Sequence, residues 1–187
     1  LCIFGVLIAH LSLNVFNDYF DVKDGTDEEN SDYFQQVSGG SRAIELGLIT
    51  LSGTKKLGSI LTFIALIIGG IVLMSTNPAN INYVIIIALA GLFLGYFYTA
   101  PPLRIVARRG LGELAIFLAF GPLITLGTAF AIFNGDLAMT QDHLMNCLYL
   151  GIPMGLLTTN ILLINEFPDM ISDKKTNKNH LVVSFGK

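Results

Sequence analysis

The stretch LGSILTFIALIIGGIVLMS, Leu57 to Ser75, contains no charged residue. A helix rises about 1.5 Å per residue, so roughly 20 such residues cross the hydrocarbon of a bilayer. Outward from it, Tyr83 to Ala100, Leu114 to Phe133 and Leu144 to Asn165 repeat the pattern, and Leu1 to Phe16 is a shorter apolar run. The pattern predicts an all-α, polytopic transmembrane helix bundle. Its spans fall at about 1–22, 56–75, 82–99, 112–133 and 144–166 of a single membrane domain. Glycines such as Gly69, Gly91, Gly121 and Gly127 would weaken a soluble helix but permit close helix contact in lipid.

Composition agrees. Of 187 residues, 52% are hydrophobic and only 13% charged, with a mean hydropathy of +0.64. A soluble domain carries about a quarter charged residues. A soluble all-helical reading would require helices apolar on every face with little polar surface to cover them. The net charge of −3, with no basic stripe, argues against a nucleic-acid partner. Cys2 and Cys147 lie far apart in apolar runs, and they form neither a disulfide framework nor a metal motif. Trp is absent, which leaves Tyr83, Tyr96, Tyr98 and Tyr149 as candidates for an interfacial aromatic belt. Leu1 opens inside a hydrophobic run with no basic leader, and Lys187 closes the chain just after the apolar stretch Leu181 to Phe185 begins. Both ends read as cut, and the chain as a piece of a longer protein.

The connections alternate in charge. Thr76 to Asn82 and Asn134 to His143 lack Lys and Arg, whereas the other three hold all 11 basic residues of the chain. Five helices passing back and forth put these three connections on one face, and the positive-inside rule makes that face cytoplasmic. Of 14 acids, only Asp136 and Asp142 fall on the other side. A face rich in both signs predicts a bound ligand as well as a topology.

The first acidic cluster runs from Asn17 through Asp18, Asp21, Asp24 and Asp27 to Glu28, Glu29 and Asp32. If the helix continues, Asn17, Asp21 and Asp24 lie within an arc of roughly 60°, with Asp18 on the flank. Gly25 is placed to end the helix in a left-handed conformation. Carboxylates stacked at a helix C-terminus repel one another and face the negative end of the dipole, and a cation relieves both. The ligand atoms are all oxygens, so the cation expected is hard: Mg²⁺ shared with a phosphate rather than Zn²⁺. Alone, such a run also reads as a solvated loop.

The second cluster, Asn165-Glu166-Phe167-Pro168-Asp169-Met170-Ile171-Ser172-Asp173, follows the last span on the same face. Asp169 and Asp173 are one turn apart, and Pro168 is placed to start a new helix at its first turn. Two Asp clusters at equal depth can hold Mg²⁺ on both sides of one diphosphate and stabilise its departure. Arg42 follows a Ser38-Gly39-Gly40-Ser41 turn that reads either as a phosphate cradle of backbone N–H groups or as a flexible loop. Arg104 and Lys178 stand on the same face as diphosphate partners or headgroup anchors; Arg108 and Arg109 read as anchors. Glu113 reads as an interfacial charge or a base, the first being favoured, and His10 as a bundle residue or a substrate contact. His143 falls on the far face.

At these residues the chain resembles the UbiA-type superfamily of membrane prenyltransferases. The likeness rests on Asn17-Asp18-x-x-Asp21, on Asp169-x-x-x-Asp173 four spans later, and on the Tyr98 to Arg104 stretch midway. The resemblance implies a ring of nine helices, of which this chain would supply the second to the sixth. It implies a polyprenyl diphosphate and an aromatic acceptor as substrates, the lipid bilayer as surroundings, and Mg²⁺ as cofactor. Asn17, Asp18, Asp21, Asp169 and Asp173 would hold the metal, with the four aspartates catalytic. Asp24, Asp27, Arg42, Tyr98, Arg104 and Lys178 would contact substrate.

The spacing Asp21-x-x-x-Gly25-x-Asp27, with Arg42-Ala43-Ile44 and Gly47-Leu48-Ile49-Thr50, looks like the 1,4-dihydroxy-2-naphthoate prenyltransferases of menaquinone synthesis. Asn165-Glu166 departs from the Asn-Asn usual there. Rival acceptors are 4-hydroxybenzoate, homogentisate, a glyceryl phosphate lipid or a haem. A rival class is a transporter, which predicts acids at mid-membrane and paired broken helices.

Overall fold

In the computed structural model, which describes residues 1–25, 40–133 and 141–186, each uncharged stretch is a helix. The helices are α1 (Cys2–Lys23), α2 (Leu51–Met74), α3 (Ile81–Thr99), α4 (Leu111–Ile132), α5 (Gln141–Lys175) and the short α6 (Leu181–Phe185). A 3₁₀ turn, Pro78–Asn80, leads into α3. The first five are long and apolar enough to cross a membrane. Asp27, Ser38, Gly39, Asp136 and Lys187 lie outside the described residues.

The helices are inside-out compared with a soluble bundle. Ile60, Phe63 and Leu66 of α2, and Leu156, Leu157 and Ile161 of α5, are exposed, whereas Asp21, Glu113, Glu166, Asp173 and His180 are buried. Apolar side chains facing outward suit a lipid surround, and the polar groups collect where other protein groups satisfy them.

Neighbouring helices run antiparallel. Along α1 and α2, Gly58 meets Phe16 while Gly5 meets Ile68. The Ser12 hydroxyl joins the pair, donating to the Gly58 carbonyl at 3.0 Å and lying 2.7 Å from Thr62 Oγ1. Between α3 and α4, Tyr83 stacks on Phe130 with ring centroids 4.7 Å apart, and Gly127 meets Ile87. The closest crossing is α4 on α5, where a Cβ on Gly121 would stand 2.6 Å from the Gly151 carbonyl and one on Gly155 2.5 Å from the Phe117 carbonyl. Bare backbones meet there, as small residues allow in lipid. At the same level α4 widens into a π-helical turn, Ala119–Leu123, that accommodates Pro122. Thr125 Oγ1 donates back to the carbonyls of Gly121 and Pro122 at 3.1 and 3.2 Å.

The alternation brings the basic connections to one end. Arg104, after α3, reaches Asp24 at the end of α1 and the Thr176 carbonyl after α5. The opposite end is closed by Asn80 Nδ2 donating to the Phe133 carbonyl at 3.1 Å, and His143 packs near Phe133 there, as its place in the sequence predicts.

Two expectations are corrected. Pro168 does not start a helix: α5 is continuous from Gln141 to Lys175, with Pro153 and Pro168 both inside it. Each proline costs one backbone hydrogen bond, which a long membrane helix held by its neighbours tolerates. Asp169 and Asp173 therefore project from the same rod as the last span. Glu113 is not an interfacial charge. It is 4% exposed, because α6 folds over it and the Leu181 N–H donates to its Oε1 at 2.7 Å.

Candidate functional site

Helix α1 delivers its polar residues in its last two turns. Asn17 and Asp21, four apart, share a face, and Asn17 Nδ2 donates to Asp21 Oδ2 at 3.2 Å. Asp24 caps the helix, with its N–H donating to the Phe20 carbonyl at 2.8 Å. Gly25 then turns the chain with φ of +77°, the left-handed step that the sequence predicts. Asp18 faces the returning loop, where its carboxylate accepts from the Ser41 N–H and hydroxyl. The Ser41 amide is thus directed at Asp18 rather than into an anion cradle, and Arg42 follows it with φ of +52°.

The two acidic motifs converge on one ammonium. Lys178 Nζ lies 3.7 Å from Asp21 Oδ2 and 3.8 Å from Asp173 Oδ1. These separations are long for hydrogen bonds, so Lys178 bridges the carboxylates as a charge rather than clamping either. Asp169, one turn before Asp173 on α5, is half-buried. Beside this group Arg104 Nε stands 3.1 Å from Asp24 Oδ2. Asn17, Asp21, Asp24, Arg104, Asp173 and Lys178 are thereby brought to one end of the bundle, and Asp27 lies outside the described residues.

Arg42, Arg104 and Asn177 are the non-glycine residues with positive φ among those described. All lie in connections at the motif end. Left-handed backbone costs energy at such residues and collects at functional sites.

Behind Asp173 lies a network that the sequence reading missed. His180 Nε2 is 3.0 Å from Asp173 Oδ2, and its Nδ1 is 3.2 Å from Glu166 Oε2. The ring is 1% exposed. Burial alone would lower its pKa, but the Asp173 and Glu166 carboxylates beside its two nitrogens outweigh that and push it up to about 9. Glu113 completes the cluster: one ligand-type atom from each of Glu113, Glu166 and His180 lies within 4.8 Å of the others. Both ring nitrogens already face carboxylates, so the group reads as an ion-paired network rather than a metal centre. The Tyr98 hydroxyl is buried near these acids. Tyr98 Oη, Glu113 Oε2 and the Glu166 oxygens are the buried side-chain atoms that lack a hydrogen-bond partner among the described residues. A histidine seven residues after Asp173, and glutamates at span ends, were the available signals.

The donor set suits a hard cation. Asp21 and Asp173 offer oxygens, and the position of Lys178 marks where positive charge is stabilised between them.

The chain is 30% identical over 177 residues to the 2-carboxy-1,4-naphthoquinone phytyltransferase, chloroplastic, of Arabidopsis thaliana, covering 93% of this chain and 42% of that protein. It is 27% identical to the 1,4-dihydroxy-2-naphthoate octaprenyltransferase of Bacillus subtilis, covering 98% of this chain and 53% of that protein. It is 28% identical to the human UbiA prenyltransferase domain-containing protein 1, covering 99% of this chain and 49% of that protein. The chain thus spans about half the length of the curated relatives it matches. No solved structure gives a significant match. The model of the UbiA prenyltransferase family matches residues 1–187 throughout, and with five apolar helices and two acidic motifs meeting at one end, the chain belongs to that family of integral membrane proteins.

Proposed function

We propose that the protein transfers a polyprenyl group from an allylic diphosphate to an aromatic acceptor, in a Mg²⁺-dependent reaction on the cytoplasmic face of the membrane. The observation that carries the reading is the meeting of Asp21 and Asp173 at Lys178. Residues from the two motifs, remote in sequence, form one buried acidic pair with a cation between them. Bound Mg²⁺ would supply charge to hold the diphosphate and stabilise the pyrophosphate as it leaves.

The chain's own residues divide the remaining work. Asn17, Asp18, Asp21, Asp169 and Asp173 would hold the metal. Lys178 and Arg104, with Arg42 beyond Ser41, would face the phosphate oxygens. Tyr98, whose hydroxyl is buried near the same carboxylates, would line the pocket of the reacting carbon. A cavity closed to water would protect the reacting carbon from hydrolysis.

The acceptor proposed is 1,4-dihydroxy-2-naphthoate, supported by relatives named for naphthoate and naphthoquinone substrates. The transporter reading is the weaker one, because the acids gather at helix ends rather than at mid-membrane. The test supplies labelled polyprenyl diphosphate, Mg²⁺ and 1,4-dihydroxy-2-naphthoate to membranes containing the protein, beside Asp21→Asn and Asp173→Asn. Prenylated product that needs Mg²⁺ and disappears in both variants supports the whole reading. Product with a different aromatic replaces the acceptor. No product with any acceptor, together with no Mg²⁺-dependent diphosphate binding, rejects the transferase.

A further inference from the structure

We propose that His180 is a positioning residue for Asp173: backed by Glu166, it occupies one carboxylate oxygen and leaves the other for the cation between the two acidic motifs. This rests on the reading of Asp21 and Asp173 as metal-holding residues.

The geometry is a chain of three side chains, Glu166, His180 and Asp173. An ionised carboxylate only accepts hydrogen bonds, so the contact at Asp173 Oδ2 is a donation from the imidazole. That bond removes Oδ2 from the cavity side. Oδ1, the other oxygen, faces Lys178, which in turn faces Asp21 Oδ2. Asp173 is thereby presented through one oxygen and kept from turning to bind through both.

The rest of the fold holds the imidazole in that orientation. Glu166 Oε2 stands 3.2 Å from Nδ1, two turns before Asp173 on the same helix. Glu113 on α4 receives the Leu181 N–H, which fixes the residue after His180. At 1% exposure the ring has no room to swing. The Val183 N–H donates to His180 Nδ1 at 3.4 Å, so His180 also caps the start of α6. A purely structural role at that helix start would affect folding alone. A positioning role affects how tightly the motifs take up metal. Outer partners of metal-holding groups are typically worth ten- to a hundredfold in metal affinity.

The experiment measures binding of inorganic pyrophosphate to the purified protein in nanodiscs as a function of Mg²⁺ concentration, with thermal midpoints recorded alongside. His180→Ala is expected to raise the Mg²⁺ needed for half-maximal pyrophosphate binding by about tenfold or more, while saturating Mg²⁺ restores full binding. His180→Gln, which keeps an N–H donor within reach of Asp173, is expected to recover most of that loss. Glu166→Gln is expected to fall between them. If His180→Ala does not fold, the comparison of His180→Gln and Glu166→Gln with the wild type carries the test. An unchanged Mg²⁺ requirement in the folded variants overturns the proposal and leaves the diphosphate site standing. Failure of the wild type to bind pyrophosphate with Mg²⁺ overturns the site reading and this inference with it.

Discussion

Lys178 Nζ lies 3.7 Å from Asp21 Oδ2, joining the last turn of α1 to the segment that follows α5. The same ammonium is 3.8 Å from Asp173 Oδ1, so it stands between two carboxylates that are 8% and 5% exposed, with His180 on the other oxygen of Asp173. Buried acids that face one another across a single ammonium repel each other, and added positive charge between them is stabilising.

Replacing Lys178 with Gln removes that counter-charge. In EDTA the thermal midpoint of the variant should fall, by an amount equivalent to about 1–3 kcal/mol, because Asp21 and Asp173 lose the charge that stands between them. Added Mg²⁺ should return more stability to the variant than to the wild type, since a ligand of the folded state stabilises by mass action. Thermal melts with and without Mg²⁺ check both statements.

Asp21→Asn and Asp173→Asn should each lower the rate of prenyl transfer by a hundredfold or more, on the order of the loss of a key charge-stabilising group. Asp24→Asn should act more weakly. Its partner Arg104 and Asp24 itself are 23% and 28% exposed, and such a pair contributes under about 1 kcal/mol to stability. Initial rates of product formation, set beside melts of the same samples, separate the two effects.

The all-oxygen donors predict a metal preference. Chelation should abolish turnover, Mn²⁺ should replace Mg²⁺, and Ca²⁺, which prefers more ligands at longer distances, should support it poorly. Product formed at full rate after exhaustive chelation would refute the metal requirement.

Gly155→Ala should destabilise the bundle, because the added Cβ would stand 2.5 Å from the Phe117 carbonyl, a backbone atom that cannot turn aside. The cost expected is about 1–3 kcal/mol. Gly91→Ala meets nothing within 4 Å and should be neutral or slightly stabilising. The two thermal midpoints in one detergent decide it.

The spans were legible because each is a local property. Uncharged runs predict Leu57 to Ser75 and Tyr83 to Ala100, and the helices observed there are Leu51–Met74 and Ile81–Thr99. The basic connections also foretold which helix ends meet. Pro168 misled because a proline's local cost says nothing of the neighbours that keep α5 continuous. Asp21 and Asp173 were legible as motif residues, and their joint contact with Lys178 fits their assignment to one site. His180, Glu113 and Glu166 were not. Their roles arise from contacts such as Leu181 with Glu113, which no spacing along the chain encodes, and a glutamate at a span end looks the same whether it faces headgroups or a buried imidazole.

The continuity of α5 has a consequence for how the protein meets its membrane. A helix of 35 residues runs about 52 Å, well beyond a hydrocarbon layer of about 30 Å. Its uncharged part, Leu144 to Asn165, meets a thinner or thicker bilayer by tilting, and the polar end that follows moves with it. Because Asp173 rides on α5 and Asp21 on α1, a change in the tilt of one helix against the other would alter the separation of the two carboxylates. Lipid acyl-chain length thus becomes a setting of the site itself, read out as a shift in metal requirement between bilayers of different thickness.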